Sequence, residues 1–247
     1  MIDLHAHILP DLDDGAETVE EALEMCRVSY KDGTKTMVAT PHILPGIYEN
    51  DRSTILSKLH ELNEALIHSE LSLVVLPGAD VHFSLDMLQL CENGEIVTVN
   101  DNGRYLMVEF DFQGIPYHAE DVLFQMIMHG IIPIITHPER NLEIARSPNR
   151  YYEIIKMGCL GQVTAMSLTG GFGPAIKKVA GKLLTKRLLH IIASDAHSID
   201  RRPPILSTAL RATEKMVGKE EARKMVTEYP QAIIEGRKPN VPDPSPI

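Results

Sequence analysis

The chain contains no run of apolar residues long enough to span a bilayer. Its longest, such as Ile131–Ile135 and Leu188–Ala193, stop after a few residues. Nor does a basic, then apolar, then small-residue leader open it: Met1 leads straight into a short apolar strand, and a cytoplasmic protein is the expectation. Cysteine is scarce. Cys26, Cys91 and Cys159 are odd in number and unpatterned, which suits a reducing compartment and no disulfide framework. A cysteine-dependent phosphatase loop needs arginine six residues after its cysteine; Asp32, Val97 and Ala165 stand there instead, so that chemistry is excluded. A basic excess is also lacking. The formal charge of −10 disfavours a broad phosphate-tracking surface for nucleic acid. It leaves room for a small anion in a metal site, where bound cations offset the carboxylates that hold them. No internal repeat or low-complexity linker divides the chain, so residues 1–247 are expected to form a single domain. The tail from about Gly236, with Pro239, Pro242, Pro244 and Pro246, is expected to be extended and mobile.

Strand and helix patterns alternate nearly throughout. Thr18-Val19-Glu20-Glu21 reads as a capping box opening a helix that ends at Gly33. A first short apolar strand is expected to run from the start of the chain into His5-x-His7, and further strands are expected at Thr36–Thr40, Leu71–Leu76, Tyr105–Phe110, Ile131–Thr136, Leu160–Val163 and His190–Ser194. Helices are expected around Ile55–Leu66, Pro116–His129, Tyr151–Met157 and Ala175–Leu189, with two more at Ile205–Met216 and Lys219–Glu228. About seven β-α units of this kind imply parallel strands with right-handed crossovers, in a barrel or an open doubly wound sheet.

The polar residues fall at one end of these strands. His5 and His7 share a strand face, because residues i and i+2 do. His42, Asp80, Glu109 and His137 follow or end the next four strands, and Asp195 and His197 end the last. Active sites of parallel α/β folds are built at strand C-termini, and imidazole with carboxylate suits zinc, manganese or iron. Other histidines act as controls. His60 and His68 lie on a helix, His118 and His129 bracket another, and His190 starts a strand at the opposite end. His82 could face the rim.

In this order, His5-x-His7, Asp13-Asp14-Gly15-Ala16, Ala39-Thr40-Pro41-His42, Val75-Leu76-Pro77-Gly78, Glu109, His137-Pro138-Glu139-Arg140, Ser167-Leu168-Thr169-Gly170 and Ser194-Asp195-Ala196-His197 resemble the PHP (polymerase and histidinol phosphatase) superfamily. Within it they look most like the CpsB/YwqE-type tyrosine-protein phosphatases of bacterial capsule and exopolysaccharide systems. The resemblance implies a distorted (β/α)7 TIM-like barrel of PHP type holding up to three divalent metal ions. Manganese is the expected metal, with iron or zinc as alternatives. One ion would take His5, His7 and Asp195, with Asp80 bridging to a second held by Glu109 and His137. A third would take His42 and His197, with Asp14 as a further candidate. The family usually has glutamate where this chain has Asp80, a loss of reach of about 1.5 Å.

A metal cluster can generate hydroxide from bound water and neutralise phosphoryl oxygens. Arg140 and Arg202 start from loops on the same rim, and a guanidinium fork suits a phosphoryl group. The expected reaction is hydrolysis of protein phosphotyrosine by a metal-bound hydroxide, with Arg140, Arg202 and Asp195 as the catalytic set. The resemblance points to an autophosphorylating bacterial tyrosine kinase with a tyrosine-rich tail as partner. No residue stands out as general acid. The alternatives are a phosphatase for a small ester such as histidinol phosphate, a PHP-type nuclease, and an inert binding module.

Overall fold

The computed structural model describes residues 1–69 and 71–246. The chain opens with β1 (Ile2–Ala6), α1 (Val19–Asp32), β2 (Thr36–Ala39), β3 (His42–Ile43) and α2 (Arg52–His68). There follow β4 (Val74–Pro77), β5 (Asp80–His82), α3 (Met87–Glu92), β6 (Tyr105–Glu109), α4 (Ala119–Met128) and β7 (Ile132–Thr136). Next come α5 (Leu142–Arg146), α6 (Asn149–Met157), β8 (Leu160–Thr164), α7 (Ala165–Thr169), α8 (Pro174–Thr185) and β9 (Ile191–Ala193). The last helices are α9 (Ser207–Val217), α10 (Lys219–Lys224) and α11 (Glu228–Ile234).

All pairings between these strands are parallel, in the orders β1-β2-β4 and β3-β5-β6-β7-β8-β9. The two ladders are one wall. β3 continues β2 beyond Pro41, which has no N–H to offer a ladder, and β5 continues β4 beyond Gly78. Joined in this way, the strands occupy seven positions. At the seam, the Asp195 N–H donates to the His5 carbonyl and the His7 N–H to that of Ala196, both at 2.8 Å, so β9 lies beside β1. This is the expected (β/α)7 arrangement.

One buried cluster draws Ile2 and Leu4, Val38, Tyr105 and Met107, Ile134, Leu160 and Ile191 from successive strands and fills the interior. Ile233 and Ile234 of α11 join it as a floor. The opposite strand faces, including Met37, Val75, Leu106, Val108, Ile135, Val163 and Ile192, pack under the helices.

Several expected boundaries shift. The strand expected at Leu71–Leu76 is observed at Val74–Pro77, and the helix expected at Pro116–His129 begins at Ala119. The last expected helix stops at Lys224, and α11 follows, so three helices rather than two end the fold. The capping box is half formed. Thr18 accepts from the Glu21 N–H, but the Glu21 carboxylate takes the Glu17 N–H instead of that of Thr18. The tail, expected to be mobile, is extended but docked. The Ser245 N–H donates to the Lys186 carbonyl, the Tyr105 hydroxyl donates to the Arg237 carbonyl, and Val241 packs on the core.

Candidate metal centre

Above the apolar plug, the inward faces turn polar. His42 and Asp80 follow Val38 and Leu76 by four residues, Glu109 follows Met107 by two, Gln162 follows Leu160 by two, and Asp195 follows Ile191 by four. Strand β1 needs a correction of register to join them. Asp3 pairs with Met37 and Ala6 with Ala39, so β1 carries an extra residue between those pairs. The bulge turns His5 and His7 to the face that Leu4 occupies lower down. Two site residues have left-handed backbone: His137 (φ 34°) and Asp195 (φ 52°). Each costs about 1–3 kcal/mol, a strain characteristic of functional positions.

The side chains converge closely. His5 Nε2 lies 3.1 Å from His7 Nε2, 3.5 Å from Asp80 Oδ2 and 3.6 Å from Asp195 Oδ1. His42 Nδ1 is 3.5 Å from both Asp80 Oδ2 and Glu109 Oε2. On its other side, His42 Nε2 is 3.7 Å from Asp14 Oδ1, which is 3.4 Å from His197 Nε2. His137 Nε2 is 3.3 Å from Glu109 Oε1. Among the described residues, three sets have donor atoms in mutual reach: His7, Asp14, His42 and His197; His5, His7 and Asp80; and His42, Asp80 and Glu109.

These sets differ from the grouping that the resemblance implied. His7 also reaches the Asp14 set, and His42 joins Glu109 and Asp80, while His137 stays beside Glu109. Asp195 stands outside all three. Its oxygens are engaged by Arg140 Nη1 at 3.0 Å, Arg202 Nη2 at 2.7 Å and the Thr164 hydroxyl at 3.2 Å. Asp80 reaches both His5 and His42 despite its shorter side chain. His82 comes no nearer than 3.9 Å to Glu109. His190 is far from the site, its Nδ1 accepting from the Gly161 N–H.

Do these residues fit metal ions? His42 Nδ1, both oxygens of Asp80 and His197 Nε2 are buried without a hydrogen-bond partner. Buried polar atoms are almost always satisfied, so four such lone pairs on one cluster fit divalent cations. The rings divide by their neighbours: burial keeps His5 and His42 neutral, whereas nearby carboxylates raise His7 and His137 against burial. Burial pushes the His5 imidazole well below its ordinary value against the pull of Asp195, and burial together with positive neighbour His7 holds His42 down to about 4. Neutral rings are the ligating form. Burial and then the Glu109 charge raise Asp80 to about 7. Glu109 is itself buried, but the imidazoles of His137 and His82 beside it hold it below the usual carboxylate range.

Three residues that sequence reasoning did not single out hold this cluster in place. The Asp13 carboxylate contacts His7 Nδ1 at 2.6 Å and accepts the N–H groups of His42 and Gly15, both at 2.9 Å. Burial opposes a charged His7, yet Asp13 and Asp195 outweigh it and push the ring up to about 10. Gln162 Oε1 meets His5 Nδ1 at 3.0 Å, and Thr164 holds Asp195. With Nδ1 occupied, each ring turns Nε2 to the cluster, the arrangement by which outer carboxylates and amides aim metal-binding histidines. Asp13 had a signal in the Asp-Asp-Gly turn, but nothing in the sequence says which acid is buried. Gly15 also has a packing reason: a Cβ there would sit 2.1 Å from the His7 carbonyl oxygen.

The family described as Capsular polysaccharide synthesis, CpsB/CapC, matches residues 1–235. The tyrosine-protein phosphatase YwqE of Bacillus subtilis (strain 168) is 34% identical over 247 residues, covering 100% of this chain and 96% of its own. The chain belongs to the CpsB/CapC family. Another relative in that group, tyrosine-protein phosphatase CpsB of Streptococcus pneumoniae, is 34% identical over 239 residues, covering 95% of this chain and 98% of its own. A solved structure from work on YwqE and CpsB, described as unique metal-dependent tyrosine phosphatases, superposes with a TM-score of 0.96 at 34% identity, over 100% of this chain and 99% of that one. Histidinol phosphate phosphatase from Lactococcus lactis, solved with zinc, L-histidinol and phosphate, shares the fold at a TM-score of 0.55 and 11% identity, over 92% and 94% of the chains. In this CpsB/CapC chain, then, the barrel and the family stand together.

Proposed function

We propose that this chain is a metal-dependent protein-tyrosine phosphatase, loaded in the cell with manganese. The observation that carries the reading is the joining, through Asp195, of a histidine–carboxylate cluster to two arginines at one rim. His5, His7, Asp14, His42, Asp80, Glu109, His137, Asp195 and His197 are the proposed ligands. Bound divalent ions would supply acidified water and neutralise phosphoryl charge.

The chain's own residues then divide the work. Arg140 and Arg202 hold phosphoryl oxygens and favour the charge that spreads over the transferring group. Asp195 keeps both guanidinium groups aimed at the cluster. Asp13 and Gln162 fix the His7 and His5 rings. Water attacks phosphorus, the bond to the phenol oxygen breaks, and the phenolate takes up a proton. A phenol ionises near pH 10, so its departure asks little of a general acid, and the site offers no obvious one.

The names of the full-length relatives support a phosphotyrosine protein as substrate. The partner we infer is a bacterial tyrosine kinase of capsule or exopolysaccharide synthesis, met in the cytoplasm. Among the described residues no helix is long and apolar enough to cross a membrane. The test is to compare kcat/KM for a phosphotyrosine peptide with that for histidinol phosphate and with cleavage of single-stranded DNA, each with and without added Mn²⁺. Preference for the peptide supports the reading. Preference for histidinol phosphate, or strand cleavage alone, overturns it.

A further inference from the structure

Arg140 is flanked by two phenyl rings that phosphate binding alone does not require. Its guanidinium carbon lies 4.6 Å from the Phe112 ring centroid and 4.8 Å from that of Phe172. Phe112 also sits 5.7 Å, centroid to centroid, from the His137 imidazole. The three residues come from neighbouring positions of the barrel. Phe112 follows β6, Arg140 follows β7, and Phe172 lies in the Gly-rich turn between α7 and α8 that follows β8. Phe112 is 42% exposed at the rim and Phe172 is half-buried.

An arginine plane stacks well on an aromatic face, so the rings could simply stiffen Arg140. Their exposure argues for more. A phosphoryl group held between Arg140 and the cluster would have these rings beside it, next to whatever its ester oxygen carries. For phosphotyrosine the attached group is a flat aromatic ring. Offset or edge contact with phenyl groups is favourable for such a ring. A serine or threonine ester ends in a short aliphatic stem and would not fill the same space.

We propose that Phe112 and Phe172 form an aryl slot beside Arg140 that receives the tyrosine ring of the substrate and selects phenyl over alkyl phosphate esters. This rests on the reading of the site as a tyrosine phosphatase, but it can be tested without turnover. Calorimetry of the metal-loaded protein measures binding of phenylphosphonate, which carries the ring, and of inorganic phosphate, which does not. In the wild type, phenylphosphonate should bind more tightly. Phe112→Ala and Phe172→Ala should each weaken phenylphosphonate by about 2- to 10-fold and leave phosphate unchanged. Phe112→Tyr should restore the preference. Parallel weakening of both ligands means that the rings serve only Arg140, and overturns the slot. So does an unchanged preference in both alanine variants, or no preference in the wild type. Failure of the wild type to hydrolyse a phosphotyrosine peptide would count against the functional reading alone, because the ligand preference is read independently of catalysis.

Discussion

Asp13→Ala should weaken metal binding although Asp13 is not among the proposed ligands. The carboxylate makes three contacts: with His7 Nδ1 at 2.6 Å, and with the N–H groups of His42 and Gly15 at 2.9 Å. Removing it frees the His7 ring to turn or to place its proton on Nε2, the atom that faces the cluster. It also leaves the partly buried His42 N–H without its partner, in the residue that stands between two of the candidate sets. Loss of an outer carboxylate of this kind costs about 10- to 100-fold in metal affinity or activity, which is about 1.4–2.7 kcal/mol. The unsatisfied N–H adds about 1–3 kcal/mol of instability. The assay is a titration of chelator-stripped protein with Mn²⁺, followed by recovery of aryl phosphatase activity, with thermal unfolding in parallel. Asp13→Asn should fall between wild type and alanine, because the amide keeps the shape but offers one acceptor oxygen where two are used. An Mn²⁺ affinity for Asp13→Ala within about twofold of wild type would refute the argument, since that lies below the whole range for an aiming residue.

Arg140→Ala and Arg202→Ala should each retain metal and lower kcat/KM for a phosphotyrosine peptide by about 100-fold, the usual loss for one transition-state donor; metal loss would instead make them structural partners of Asp195. Gly15→Ala forces a Cβ to within 2.6 Å of the His7 Cβ, so it should lower both stability, by about 1–3 kcal/mol, and Mn²⁺ affinity; an unchanged protein would contradict the close approach. Burial holds His190 down to about 4, whereas the unfolded chain titrates near 6.5. The unfolded state therefore binds the proton first as pH falls. Its contribution, on the order of 3 kcal/mol, is complete above about pH 6.5 and is lost on the way down to 4. In chelator, urea midpoints should drop between pH 7 and pH 5, and His190→Asn should flatten that drop; equal slopes would contradict it.

The strand-end chemistry was legible because parallel strands impose a parity. His42, Asp80, Glu109 and Asp195 each follow an apolar inward residue at even spacing, so placing the strands also places most of the site; His137 follows Ile134 by three and departs from the parity, with left-handed backbone of its own. His5 and His7 were legible as a pair for the same reason. The bulge that turns them inward was not, since Asp3, His5 and His7 alternate without a visible break. Residues that act from loops were harder. Asp13 and Asp14 are adjacent acids, and only the chain's path buries the first beneath His7 and leaves the second exposed beside His42 and His197. The ligand grouping also depends on side-chain direction, which spacing does not encode; His42 presents one nitrogen to each of two sets. The helix α11 was missed because Pro230 sits in its first turn, where proline is tolerated but reads as a break.

The most direct test joins metal content to catalysis in one preparation. Metals per chain are counted by mass spectrometry in the wild type and in His137→Ala, and phosphotyrosine-peptide hydrolysis is measured on the same samples before chelation, after it, and after Mn²⁺ is restored. The account predicts more than one ion per wild-type chain, activity that disappears with the metal and returns with Mn²⁺, and loss of both metal and rate in His137→Ala. Full hydrolysis by the metal-stripped wild type, or a His137→Ala variant with undiminished metal and rate, would contradict it.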